Sequence, residues 1–225
     1  MLELIDFYFA TGNKHKVEEA DNVLAAHNIS VKQFEDYEKI EIQHVNLEEI
    51  TKTALSLIVI KTEKKVFVED SGLFIHELNG FPGPYSSFVF ETLGVEGILK
   101  LMTEAASRKA EFRSSVSFGS KGKILGTFSS VTEGTLTAAP RGESGFGFDP
   151  IFVPIWTSKT FAQMAIKEKN VYSHRAKALN KLALWYLNAV KTKTLETNAI
   201  EISTSEKGGK RLDSSALGDR FKSKA

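Results

Sequence analysis

Four stretches of the chain hold residues of the types and spacings that could do chemistry. In Thr11-Gly12-Asn13-Lys14-His15-Lys16 an apolar run turns polar within three residues, and two lysines follow a glycine-containing corner. A strand-to-helix turn of this kind offers backbone N–H groups and the positive end of a helix to an anion, and the lysines add mobile charge. That is a phosphate site in outline, although a surface turn decorated with solvated lysines has the same sequence. It is not a Walker loop. Gly122-Lys123 is followed by Ile and Gly209-Lys210 by Arg, where a P-loop needs Ser or Thr.

In Val66-Phe67-Val68-Glu69-Asp70-Ser71-Gly72 two carboxylates close an apolar run. Placing them there costs desolvation energy unless a cation offsets it, and a divalent ion is the usual partner for oxygen ligands. Successive strand residues face opposite ways, so Glu69 and Asp70 share a face only if the strand ends there. A solvated strand end with an Asp-Ser-Gly turn is the alternative. Glu41, between Ile40 and Ile42, is another carboxylate in apolar surroundings.

In Gly145-Phe146-Gly147-Phe148-Asp149-Pro150 the alternating glycines allow backbone to approach a flat ligand. Phe146 or Phe148 offers a stacking face, and Asp149 can accept from ribose or base N–H groups. Core packing beside a turn would use the same residues. Lys169 precedes Ser173-His174-Arg175 at the start of the last helical pattern. Ser173 reads as an N-cap, which leaves the adjacent His174 and Arg175 unexplained.

The elements that must position these groups can be read from periodicity. A buried strand over 5–10 leads into a helix over 14–27. A short strand follows over 31–34, and then a long helix over 47–64, capped by Asn46, buries Ile50, Ala54, Leu57 and Ile58. A strand over 66–70, an Asn-Gly-Phe-Pro-Gly-Pro loop over 79–84 and a helix over 92–106 come next. Runs at 111–118 and 123–131 form an antiparallel hairpin around 119–122. A glycine-rich loop over 138–149, a strand over 151–153 and an amphipathic helix over 173–190 complete the pattern. Parallel and antiparallel pairings together imply an α/β protein with a mixed sheet. One domain spans residues 1–191, and residues 192–225, rich in Ser, Gly and charge, read as a polar, flexible tail.

With 42% hydrophobic and 25% charged residues in 225, the chain can bury a real core. The net charge of +1 supplies no basic field for sequence-independent nucleic-acid binding. The absence of cysteine excludes disulfides, thiolate metal sites and Cys nucleophiles. No apolar run approaches the roughly 20 residues of a membrane span, so a cytoplasmic protein is expected.

Taken in order, these stretches resemble the Ham1/ITPA family, the inosine/xanthosine triphosphate pyrophosphatases that remove non-standard purine nucleotides. The resemblance rests on five matches. They are Thr11-Gly12-Asn13-x-x-Lys16-x-x-Glu19, Val68-Glu69-Asp70-Ser71-Gly72-Leu73, Asn79-Gly80-Phe81-Pro82-Gly83, residues 140–152 from Pro140-Arg141-Gly142 to Ile151-Phe152, and Ser173-His174-Arg175. Together they cover residues 5–190.

The resemblance implies a two-lobed fold around a central twisted mixed sheet with flanking helices, a homodimer, and hydrolysis of ITP, dITP and XTP to the monophosphate and pyrophosphate. It implies that Thr11, Gly12, Asn13, Lys14, His15 and Lys16 hold the triphosphate, with Lys16 favoured over Lys14. Glu41 and Asp70 would ligate Mg²⁺. Ser71, Phe146, Gly147, Phe148, Asp149, Lys169, His174 and Arg175 would surround nucleotide and base. It assigns Asp70 as proton acceptor, but a carboxylate bonded to Mg²⁺ is a poor base, so Glu69 and a metal-bound hydroxide stay open as alternatives. Family members often carry Pro before the metal glutamate, where Ile40 stands here, and Arg in the segment matching Pro84 to Phe88, which has none. The competing readings are a related Maf-like pyrophosphatase for other modified nucleotides and a nucleotide-binding module without hydrolysis.

Overall fold

The computed structural model describes residues 5–38, 40 and 42–192. Glu41 and the expected tail from 193 onward lie outside the described residues.

Six strands form one mixed sheet: β1 (Ile5–Ala10), β2 (Ile29–Phe34), β3 (Val66–Ile75), β4 (Lys109–Ser120), β5 (Lys123–Leu136) and β6 (Phe152–Pro154), in spatial order β2-β1-β3-β4-β5-β6. β1 runs parallel to both β2 and β3, and every later pairing is antiparallel. The helices are α1 (Lys14–Ala25), α2 (Leu47–Val59), α3 (Ser86–Leu101), α4 (Ile166–Tyr172) and α5 (His174–Thr192).

The three largest apolar clusters among the described residues dress this sheet. On one face of its first half, Phe7, Phe9 and Phe67 pack against Ala20 and Leu24 of α1 and Leu179, Leu182 and Tyr186 of α5. On the other face, Val66 and Val68 meet Leu55, Ile58 and Val59 of α2. The far half has its own core, in which Leu73, Ile75 and Phe112 join Val89 and Ile98 of α3 with Phe148, Phe152 and Phe161.

β3 and β4 run through both halves, and their polar residues mark the boundary. Asp70 lies opposite Ser115 and Ser71 opposite Ser114. On β5, Ser129 and Ser130 continue the line as partners of Ser115 and Ser114. A polar belt therefore crosses the sheet between two apolar cores.

Several boundaries differ from those expected. β3 does not end at Asp70 but continues five residues to Ile75, so Glu69 and Asp70 sit in mid-strand on opposite faces. The continuation is held by the Asn-Gly-Phe-Pro-Gly-Pro loop, which packs backbone on backbone. A Cβ on Gly72 would stand 2.0 Å from the Gly83 carbonyl oxygen. Ser86 Oγ pins the loop by donating to that carbonyl at 2.7 Å and accepting from Leu73 N–H at 2.8 Å. These motif residues are needed for packing.

α3 starts at Ser86, six residues earlier than expected, and α2 stops at Val59, five residues short of the expected Lys64. Leu47 and Leu55 are the buried leucines of α2, whereas Leu57 is exposed. The run Ala-Leu-Ser-Leu-Ile-Val-Ile is apolar at every phase but one, so its periodicity does not single out a face.

Candidate active site

The first turn of α1 fills one side of the site. Asn13 caps the helix, its side chain accepting from His15 N–H at 2.9 Å and Lys16 N–H at 3.3 Å. Thr11 Oγ1 accepts from Asn13 N–H at 3.2 Å, which sets the corner. Gly12, Lys14 and His15 are exposed, whereas Lys16 is partly covered and turns inward. Its Nζ lies 2.9 Å from Glu69 Oε2.

From Lys16 a chain of alternating charge runs through the interior. Glu69 Oε1 faces Arg175 Nε at 3.1 Å and accepts from Ser114 Oγ at 2.8 Å. Arg175 also donates to Ser71 Oγ at 2.9 Å and, through Nη1, to Glu19. Glu19 accepts from Lys169 Nζ at 2.6 Å, and Lys169 reaches Asp149 Oδ2 at the same distance. Phe146 N–H donates to Asp149 Oδ2 at 2.9 Å. Three cations and three carboxylates thus neutralise one another along one path.

α1 makes this possible because Lys16 and Glu19 are three residues apart and face the same way. α5 supplies Arg175 from its first turn, capped by Ser173, which is fully buried. Gly145 supplies the space beside Asp149: with φ at +77°, a Cβ there would stand 2.1 Å from Asp149 Oδ2.

Burial alone would raise the pKa of Glu69, but Arg175, Lys16 and the Ser114 hydroxyl outweigh it and hold the carboxyl well below the usual range. Glu19 is likewise lowered, with burial opposed by Arg175 and Lys169. Asp149 goes the other way: burial exceeds the help it gets from Lys169, and Glu19 nearby adds to the rise. His174 is pushed well below its usual value by burial, with Arg175 adding to the effect. Its ring stacks on Phe112 at 4.7 Å and 7°, and both ring nitrogens lack a hydrogen-bond partner among the described residues.

The two phenylalanines of the glycine loop separate. Phe146 is half-buried and stacks on His15 at 5.7 Å and 17°, with Lys169 Nζ 5.0 Å from its ring centre. Phe148 belongs to the far core, edge-on to Phe90 at 5.5 Å. Gly147, between them, takes a positive φ of 61°. Asp70, on the other face of β3 from Glu69, is half-buried, and its Oδ1 accepts from Ser71 N–H at 2.9 Å.

Apart from Glu41, every residue expected at the site is among those described. Lys16, Glu69, Ser71, Asp149, Lys169 and Arg175 are joined in one network, and Phe146 and His15 lie at its rim. Three partners were not assigned from sequence: Glu19, Ser114 and Phe112. Glu19 was detectable, since a Glu on the helical face of Ala20 and Val23 has to be paired once buried. Ser114 and Phe112 carry no such signal, because their roles depend on strand register.

Comparison with known proteins decides the family. Residues 7–185 match the sequence profile of the Ham1 family. The chain belongs to the Ham1 family. A relative from Methanopyrus kandleri is 47% identical over 182 residues, covering 81% of this chain and 96% of its own. One from Pyrococcus horikoshii is 46% identical over 178 residues, covering 79% and 95%. Each of these two bears the name dITP/XTP pyrophosphatase. Among solved structures, the Staphylococcus aureus Ham1 protein matches with a TM-score of 0.70 at 26% identity, covering 81% of this chain and 98% of that one. A Coxiella burnetii HAM1 protein matches with a TM-score of 0.71 at 25% identity, covering 82% and 100%. The mixed six-stranded sheet with flanking helices is the fold of these proteins.

Proposed function

We propose that this chain hydrolyses non-standard purine nucleoside triphosphates, dITP, ITP and XTP, to the monophosphate and pyrophosphate, and so cleanses the nucleotide pool. The observation that carries the proposal is the buried path of alternating charge from Lys16 to Asp149. It joins a helix N-terminus suited to phosphates to a glycine and aromatic loop suited to a base.

The triphosphate lies along the first turn of α1, with Thr11 to Lys16 around it. The base reaches Phe146, whose ring gives a stacking face, and His174. A neutral imidazole has one N–H to donate, and the unpartnered ring of His174 suits the 6-oxo acceptor of hypoxanthine or xanthine. Adenine would present a 6-amino donor instead. A donor left facing a donor in a buried site can cost about 10⁴-fold in selectivity. The buried Arg175, Glu19, Lys169 and Asp149 keep these groups fixed before substrate arrives, which is where electrostatic catalysis and recognition gain most.

Water attacks the α-phosphorus, the bond to the bridging oxygen breaks, and pyrophosphate departs with the electron pair. Asp70 orients the water by accepting its hydrogen bond, and the proton is lost to solvent as the new bond forms. Glu69 is too strongly held by Lys16 and Arg175 to act as a base near neutral pH, so its role is electrostatic. Mg²⁺ fits the donors present. Asp70 is a half-buried carboxylate, and Mg²⁺ characteristically binds through one or two carboxylates, with phosphate oxygens and water completing its shell. Asp70 would hold it, with Glu41 as the second ligand implied by family likeness. When bound, the ion would neutralise charge on the phosphates as the leaving group forms.

Two copies are expected to pair. Tyr85, Phe88 and Leu93, exposed on and just before α3, support this, and sedimentation velocity tests it. No helix of the described residues is long and apolar enough to cross a membrane, and the even charge balance gives no footprint for nucleic acid. Cytoplasmic action on free nucleotides agrees with both. A panel of triphosphates at equal concentration with Mg²⁺ tests the activity. Turnover of dITP, ITP and XTP far above ATP and GTP is expected. Preference for modified pyrimidines would favour the Maf-like alternative, and tight binding without turnover would favour a binding module.

A further inference from the structure

Lys16 differs from the other two cations of the buried path. Its side chain is 17% exposed, whereas those of Lys169 and Arg175 are 4% and 3% exposed. Lys169 touches two carboxylates, and Arg175 touches two carboxylates and a hydroxyl. Lys16 has one ion-pair partner among the described residues, Glu69. Glu69 in turn has Arg175 and Ser114 besides. Lys16 is therefore the cation at the end of the path, and the one whose departure leaves its carboxylate still neutralised.

We infer that Glu69 is a positioning residue that stores Lys16 as a transferable cation. Lys16 moves from Glu69 to the phosphates when a triphosphate reaches the first turn of α1, and Glu69 draws it back as pyrophosphate leaves. This deepens the proposed function and rests on the reading of Lys16 as a phosphate ligand. The storage has a direct consequence for affinity. Every phosphate ligand must compete with a carboxylate 2.9 Å from Lys16 Nζ, so Glu69 weakens binding of substrate and product alike and hastens product release.

The test is calorimetric titration of metal-free protein with inorganic pyrophosphate, which separates the effect from catalysis. Removing the competing charge in Glu69→Gln should tighten pyrophosphate binding about fivefold, the size of a partly exposed ion pair. Lys16→Ala should weaken it, and Lys16→Ala/Glu69→Gln should bind no better than Lys16→Ala alone. With Mg²⁺ and dITP, Glu69→Gln should lower KM and kcat together, because release slows. A purely structural Glu69 would not tighten binding. Folded Glu69→Gln with unchanged or weaker binding overturns the inference, as does a gain that persists in the double variant. Should Glu69→Gln not fold, Glu69→Asp keeps the charge but withdraws it from Lys16 and should still tighten binding; no gain there also overturns it. If Lys16→Ala binds pyrophosphate like the wild type, the phosphate reading of Lys16 itself fails.

Discussion

The two ends of the buried charge path are built differently. At the end proposed to meet the base, Lys169, Arg175, Glu19 and Asp149 are all enclosed, and each of the two cations bridges two carboxylates. At the end proposed to meet the phosphates, Lys16 is partly exposed and makes one ion pair among the described residues, while Lys14 and His15 reach solvent. On the proposed function, the difference follows from what each end has to recognise. Telling one purine from another needs donors and acceptors fixed in advance, because a mobile group would adapt to the wrong base. Triphosphates are alike whatever base they carry, so that end can yield and re-form. Rigidity is concentrated where selectivity is made.

Substitutions should separate the two ends. The largest loss of activity is expected off the path, at the polar belt of the sheet: Asp70→Asn should lower kcat with dITP by about 10³-fold or more with little change in melting temperature, as removal of a carboxylate central to the proposed chemistry does. At the base end Lys169→Ala leaves Glu19 and Asp149 short of a partner and should cost about 3–5 kcal/mol of stability. In thermal melts this appears as a fall on the order of 10 °C. At the phosphate end Lys16→Ala should raise KM about tenfold while costing less than about 1 kcal/mol, and Lys14→Ala should raise KM far less. Equal damage to stability at both ends would erase the distinction.

A smaller effect concerns pH. His174 is held neutral in the fold, with its pKa well below the usual value because of burial and Arg175. The unfolded chain takes up a proton near pH 6.5 and the folded chain does not, so stability is lost as pH falls below that point, by up to about 1.4 kcal/mol per unit. The drop in melting temperature between pH 7 and pH 5 should shrink in His174→Gln. The smallest effect is expected outside the two ends: deleting residues 204–225 should leave kcat/KM for dITP unchanged.

Much of this site could be read from sequence because its residues stand in short ordered motifs whose chemistry suits one ligand. The β1 to α1 corner, the β4 to β5 hairpin and the last helix are locally determined, by capping in Asn13 and Ser173 and by alternation in the hairpin. What could not be read depended on distant packing. Glu69 and Asp70 were expected at a strand end, yet the loop seated on Gly72 through Ser86 extends β3 past them and sends them to opposite faces. The same extension sends Glu69 into the ion-pair path and Asp70 to the other face of the sheet. Phe146 and Phe148 share a loop and a residue type, and only the far core distinguishes the site residue from the packing one.

On the proposed function the site directs water to the α-phosphorus. Hydrolysis of dITP with Mg²⁺ in ¹⁸O-enriched water, followed by mass spectrometry of both products, tests it directly. The label should appear in dIMP, with pyrophosphate unlabelled. Label in pyrophosphate, or release of dIDP and orthophosphate, would contradict attack at the α-phosphorus.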